Sequence, residues 1–360
     1  MAKLTALDTV RTVASADDVA DALKELDVTP YAAFAEPNAQ LLTQVRQDGE
    51  NMFLYVYNYC PDLYCGEDHV SGMGHGREIS TEIIMDGMFV PYRIDSWSGK
   101  VTEMAAYRYE DGKTVIPVDL SYGDIALYAF EAVTEEKAHV VETSADLAYV
   151  SEDAIVLRTA NAGEVNAVMS DGSVVKANVE LPAACELTNW DVTVESWTPG
   201  EEITRTETME GIQVTEHTFD TVKNTTEIHL DTLTTWNNIP EIGQAVSGRA
   251  VYRATFDWDG AASGACIDFG EVVQAMTLKV NGQEIAVDLN KPVADIGHAL
   301  VEGKNTIEIE YGSNLTNVQL DRGLLREQQN TGNWEGYDVA YREYGLRQAT
   351  LIPYAEVNVQ

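Results

Sequence analysis

The feature that most constrains this chain is a period of two. Beyond Pro30, apolar and polar residues alternate through "NMFLYVYNY", "REISTEIIMDG", "KTVIPVDLS", "DIALYAFEAV", "AIVLRT", "WDVTVESW", "AVYRATFDW", "MTLKVNGQEIAV" and "NTIEIEY". Successive side chains of a strand point to opposite faces, so such runs build sheets with one covered side. β-Branched and aromatic residues fill them, as a pleated surface favours. Turn chemistry agrees. Asp48-Gly49, Asp111-Gly112, Asp171-Gly172 and Asn281-Gly282 fall between alternating runs and accept the positive φ angles of tight hairpins. Long amphipathic helices between strands are missing, which argues against parallel βαβ units. The expected fold is all-β, with two or more antiparallel β-sandwiches.

One stretch breaks the period. In "ASADDVADALKELDV", Val19, Ala22, Leu23 and Leu26 fall at helical spacing and build one apolar stripe. Ser15 is a good N-cap, and Asp17 and Asp18 suit the positive end of the helix dipole. One short N-terminal helix follows. A helix of this length does not hold in water alone, so it should lie against downstream sheets or against another domain. Further on, "TPGEEITRTETMEGIQVTEHT" is polar and weakly periodic and reads as an exposed loop or ragged edge strand. "ELPAACELTNW", around 181–190, reads as a junction.

Charge excludes whole classes of partner. Fifty-nine acidic residues face 23 basic ones, a net charge of −36. Such a chain repels nucleic-acid phosphates and anionic lipid. No run of eighteen apolar residues exists to span a membrane. The N-terminus lacks an apolar leader, which favours the cytoplasm if the chain is complete. Four cysteines in 360 residues do not make a disulfide scaffold. Cys185 and Cys266 sit in apolar company and are expected as buried thiols.

The C-terminal half carries a resemblance. "SGRAVYRATFDWDG", "ACIDFGEVVQAMTLKVNGQEIAV", "ALVEGKNTIEIEYGSNLTN" and "YGLRQATLIPY" resemble a galactose-binding-like jelly roll. This is the sugar-binding type of sandwich in β-galactosidase-like enzymes, and it also closes large bacterial α-L-rhamnosidase-type glycoside hydrolases. Upstream, "LLTQVRQDGENMFLYVYN" and "YRIDSWSGKVTEMAAYRYEDGKTVIPVDLSYGDIALYAF" are similar to the β-sandwich that follows the catalytic barrel of those hydrolases. The resemblance implies a helical lead-in over 1–30, a β-sandwich over 31–186 and a jelly roll over 187–360. It also implies that the catalytic carboxylates lie on a barrel outside this chain. A barrel needs about 250 residues of alternating strand and helix, and no such stretch is present. The function so implied is a non-catalytic accessory portion or subunit of a glycoside hydrolase, partnered by carbohydrate and by a catalytic barrel domain or subunit. A structural calcium ion is compatible with it, and a homo-oligomer is left open. The alternatives are a free-standing carbohydrate-binding protein and, more remotely, a glycosidase in its own right. The accessory reading expects an apolar patch near the N-terminal helix. The glycosidase reading expects two facing carboxylates of opposed pKa.

Two residue sets are candidates for ligands. The segment after Asn314 departs from alternation and holds Trp334, Tyr337 and Tyr344 with Arg322, Arg326 and Arg347. Sugars stack on aromatic faces and take hydrogen bonds from arginine, so these six are the candidate carbohydrate site. Against this stands a plain structural role, with the aromatics capping the sandwich and the arginines in ion pairs. Separately, Cys60, Cys65, His69 and His75 share one loop and offer a zinc-type donor set, although the spacing is wide for a zinc knuckle; a plain surface loop and a disulfide are the alternatives.

Overall fold

The alternating runs close into strands, and among the described residues every pair of strands is antiparallel, with one isolated parallel bridge between Ala106 and Val140. The structure, a computed structural model, describes every residue except 1, 2, 4, 37–39, 60–77, 122, 324–339 and 360. The first region holds β1 (Ala32–Phe34), β2 (Leu41–Asp48), β3 (Asn51–Asn58), β4 (Ile79–Met85), β5 (Phe89–Ile94), β6 (Val101–Glu103), β7 (Arg108–Glu110), β8 (Lys113–Leu120) and β9 (Ile125–Ala132). Next come β10 (Val140–Thr143), β11 (Leu147–Ser151), β12 (Ala154–Thr159), β13 (Gly163–Met169) and β14 (Val174–Val179). The last region holds β15 (Cys185–Glu186), β16 (Trp190–Met209), β17 (Ile212–Leu230), β18 (Gly248–Trp258), β19 (Gly264–Asp268), β20 (Ala275–Val280), β21 (Gln283–Ile285), β22 (Val293–Asp295), β23 (Gly303–Gly312) and β24 (Thr350–Val359).

Two-residue turns set the register where the sequence requires them. Asp111-Gly112 and Asn281-Gly282 each have positive φ at both positions, 51° and 76° in the first and 51° and 79° in the second. Those angles are the type I′ turn, whose twist matches that of the flanking strands. Glu110 thereby faces Lys113, and Val280 faces Gln283.

Three buried clusters fill the space between sheets. Sheet β1-β4-β8-β7 faces sheet β2-β3-β9-β5-β6 across Leu54, Val56, Ile83, Ile116 and Phe130. Sheet β10-β13-β14 packs on β11 and β12 across Val140, Leu157, Val165 and Ala167. Sheet β17-β16-β18-β23-β20-β21 covers β19, β22 and β24 across Trp190, Tyr252, Phe269, Leu278 and Ile309. Strand β24 belongs to two of these cores. Its first half pairs with β19 and its second half with β12, so Leu351 lies in the third cluster and Val359 in the second.

The structure narrows three sequence expectations. The N-terminal helix forms as a 3-10 turn, Ala16–Asp18, continued by α1 (Val19–Glu25), with Ser15 and Asp18 making a reciprocal capping box. It buries no residue: Val19 and Leu23 remain 43% and 42% exposed. The polar segment around 200–217 is edge strand rather than loop, since β17 is the outermost strand of its sheet and a bulge lies between Pro199 and Glu202. It is the distal half of a hairpin of 20- and 19-residue strands, β16 and β17, that runs past the last pairing with β18 at Ser196. Cys185 is exposed on its two-residue strand, and Cys266 is only half-buried. Their apolar neighbours are small or turned the other way, so local composition overstates how deeply either thiol is covered.

Candidate functional site

The outer face of the six-stranded sheet carries a row built by register alone. His229, Asp191, Arg253, Glu308, Lys279 and Glu284 are successive cross-strand neighbours from β17 to β21. Cationic or imidazole side chains alternate with carboxylates at every step. Cross-strand partners sit about 5 Å apart at Cβ, so alternation of sign is the stable order. His229 Nδ1 lies 2.9 Å from Asp191 Oδ1, and Arg253 Nε donates to Glu308 Oε2 at 2.7 Å. A second pair, Arg249 to Glu310 at 2.9 Å, lies on the same face. Beside the row a groove of about 390 Å³ opens, lined by Asn189, Asp191, Arg253, Thr255, Lys279 and Thr306. Its walls offer hydroxyl, amide, cationic and carboxylate groups. Such a set exchanges hydrogen bonds with a polyhydroxylated ligand, and it lacks an aromatic plate on which a sugar ring would stack.

The sequence candidates lie elsewhere. Tyr344 is 1% exposed, with its ring edge-on to Trp236 and its hydroxyl bonded to Asn314. Burial pushes its phenol upward. Trp236 in turn donates to the Tyr252 hydroxyl at 2.8 Å. Tyr344 is thus part of an aromatic plug closing the third core. Arg347 pairs with Glu271 at 3.0 Å and with Glu343 at 2.6 Å. Arg322 caps the C-terminal end of α2 (Thr316–Asp321). Trp334, Tyr337 and Arg326 lie outside the described residues, as do Cys60, Cys65, His69 and His75. Among the described residues, no three His, Cys, Asp or Glu side chains gather closely enough to hold a metal ion. Among them, too, no helix is long and apolar enough to cross a membrane.

One cluster of acids and hydroxyls was not visible in the sequence. Arg158, on β12, reaches across to the C-terminal sandwich. Its Nη1 bonds Asp295 at 2.6 Å and its Nη2 bonds Glu356 at 2.6 Å. Its guanidinium carbon lies 4.0 Å from the centre of the Tyr354 ring. The Tyr354 hydroxyl donates to Asp295 at 2.9 Å, and that of Tyr149 donates to Glu356 at 2.6 Å. Gly264 and Gly297 make room for Tyr354, because a Cβ at either would fall within 2.4 Å of its hydroxyl oxygen. Burial alone would push the Asp295 carboxyl up, but Arg158, the Gly297 N–H and Tyr354 outweigh it and hold it below the usual range. Both carboxylates are engaged by one guanidinium, which suits a clasp rather than an acid–base pair. Asp124 is the carboxyl held above its usual range, first by burial and then by Asp288. It is enclosed at 9% exposure near the contact where Asn290 donates to the Gly123 carbonyl.

No family model matches the chain, and no curated protein matches it in sequence. Its fold is that of part of a rhamnosidase from Novosphingobium sp. PP1Y, with a TM-score of 0.54 at 17% identity. The match covers 99% of this chain and 28% of the rhamnosidase. Alpha-L-rhamnosidases from Dictyoglumus thermophilum and Aspergillus terreus match at TM-scores of 0.19 and 0.21, with 11% and 12% identity, and nothing follows from these two. They cover 89% and 79% of this chain and 28% and 25% of their own.

Proposed function

We propose that this chain is a non-catalytic β-sandwich portion or subunit of a glycoside hydrolase of rhamnosidase type, with a galactose-binding-like C-terminal sandwich. It would support a catalytic unit and contact carbohydrate. The observation that carries this reading is the superposition of nearly the whole chain on 28% of a rhamnosidase. Two further features support it. The helix α1 leaves Val19 and Leu23 open, as a helix does when its neighbour lies on another unit. The groove beside Arg253 and Lys279 offers the polar set that sugar hydroxyls need. Chemistry on a glycosidic bond calls for two carboxyls about 5 to 9.5 Å apart across an open pocket. The Asp295 and Glu356 carboxylates instead grip Arg158.

The test is direct. The purified chain is incubated with a chromogenic aryl α-L-rhamnoside and with a panel of other aryl glycosides. No release above the blank is expected, and turnover that survives repurification would overturn the reading. Calorimetric titration with rhamnose-containing oligosaccharides checks the carbohydrate contact. Wild type should give heat, and Arg253→Ala should weaken binding by about tenfold, the loss of one charge-assisted hydrogen bond.

A further inference from the structure

The five-stranded sheet β2-β3-β9-β5-β6 is apolar on both faces along its central strands, β3 and β9. Met52, Leu54 and Val56 of β3, with Ala126, Tyr128 and Phe130 of β9, point into the first core. The intervening residues point outward, and they too are apolar. One outer row reads Leu42, Tyr57, Ile125, and the next reads Gln44, Tyr55, Leu127, Ile94, Val101 across all five strands. The third reads Arg46, Phe53, Ala129, Tyr92, Glu103 across all five strands. Antiparallel sheets with one wet side alternate apolar and polar, and strands apolar on both sides are covered on both sides. Leu42, Phe53 and Ile125 are exposed here, on a molecule whose net charge is −36. A contiguous apolar face of this extent marks an interaction surface.

We infer that this face docks on the same face of a second copy of the chain. The argument is the charge pattern of the third row. A two-fold axis running along β9, the middle strand, carries β2 of one copy over β6 of the other. Arg46 then stands opposite Glu103 of the second copy, and Glu103 opposite its Arg46, at both ends of one row. Between them Phe53 meets Tyr92, and the small Ala129 meets itself at the axis, where two sheets must approach to about 10 Å. Arg46 has no ion-pair partner among the described residues. The Tyr92 hydroxyl lies 2.8 Å from Glu131 and 3.1 Å from Glu103, which places Glu103 at the rim. At about 4.8 Å between strands and about 3.3 Å per residue, the face spans on the order of 500 Å² per copy. Two copies therefore bury on the order of 1,000 Å², the lower bound for a specific interface, so the dimer is concentration-dependent. The packing also sets Glu131, two residues beyond Ala129 on β9, near its own copy at the axis, and the two chains carry like net charge. The remaining repulsion is long-ranged and is screened as the Debye length falls from about 10 Å at 0.1 M salt toward about 3 Å at 1 M. Dimerisation should thus strengthen with added salt. This inference goes beyond the accessory reading and does not depend on it.

Sedimentation equilibrium of the whole chain tests it, from low to high micromolar protein and from about 0.05 M to about 0.5 M NaCl. Wild type should dimerise, more tightly in the higher salt. Phe53→Glu should be monomeric throughout. Arg46→Glu should weaken the dimer by about fivefold, the worth of the two surface pairs lost. Adding Glu103→Arg to Arg46→Glu should restore it, since the swapped pair meets itself across the axis. Far-ultraviolet circular dichroism shows that each variant is folded, and the double swap rescues only if the rows face as stated. A wild type that stays monomeric at high micromolar in both salts overturns the inference. So does a dimer indifferent to Phe53→Glu, which would lie on another face, or one that the double swap fails to restore.

Discussion

Arg158 is one residue that couples two cores. Its side chain is four-fifths buried, and its guanidinium satisfies Asp295 and Glu356 together while stacking on Tyr354. Removing one partner from such a group leaves charges without compensation, which is costlier than the pair was favourable. Arg158→Ala should destabilise the chain by about 2 kcal/mol, below the range for fully buried pairs because Asp295 and Glu356 remain partly solvated. Urea denaturation followed by tryptophan fluorescence measures it. The pH dependence has a fixed sign. Asp295 titrates below its ordinary value when folded, so its contribution is present above the unfolded carboxyl pKa of about 3.9 and is lost as pH falls through the folded value. Wild type should lose stability in that acid range more steeply than Arg158→Ala. An equal slope in both would show that Arg158 does not set the Asp295 pKa. Nothing in the sequence around "AIVLRT" announced this role, because the partners are 137 and 198 residues away.

Elements were legible where local chemistry and periodicity agreed. Asn281-Gly282 fixed its hairpin because both residues tolerate positive φ, and Val280, Ile285, Val287, Ile307 and Ile309 all turn inward as alternation requires. Ser15 announced the helix start, and the helix began there. Alternation could not tell a covered outer face from an open one, so "NMFLYVYNY" read simply as a strand although both its sides are apolar. The arm of β16 and β17 was left between loop and edge strand for the opposite reason. Threonine and charge dominate it, so no apolar period was present to detect. A bulge between Pro199 and Glu202 shifts its register, and Gly200 there fits because a Cβ would fall 2.9 Å from Val222. Among the described residues, none from 198 to 224 joins the third core. A two-stranded ribbon contributes little stability by itself. Shortening the hairpin, with an Asn-Gly turn joining Thr198 to Val222, should therefore move Tm by less than about 2 °C, the scale of a sub-kcal/mol change in a chain this size. A loss of cooperative melting would show that the arm is structural.

At the scale of the whole molecule, β24 is the strand that decides whether the chain behaves as one body. Residues 350–354 pair with β19 and residues 355–359 with β12. Ending the chain at Tyr354 would remove every pairing of β24 with β12, and with it Val359 from the second core. It would leave Leu351 in the third core. It would also remove Glu356 and with it half of the Arg158 clasp. Burying one valine is worth about 1.5–3 kcal/mol, so amide protection across β11 to β13 should fall by about tenfold or more. Protection in β18 and β23, which pair over ten residues around Tyr252 and Ile309, should stay near its wild-type level. Hydrogen exchange read by mass spectrometry separates the outcomes. If β18 and β23 open together with β12, the second and third cores unfold as one unit and β24 is their common spine. If they hold while β12 opens, the C-terminal sandwich is a self-sufficient module to which the middle region is attached by one strand and one arginine. The separate positions of Leu351 and Val359 in two cores favour the second result, because neither core buries the other's half of the strand.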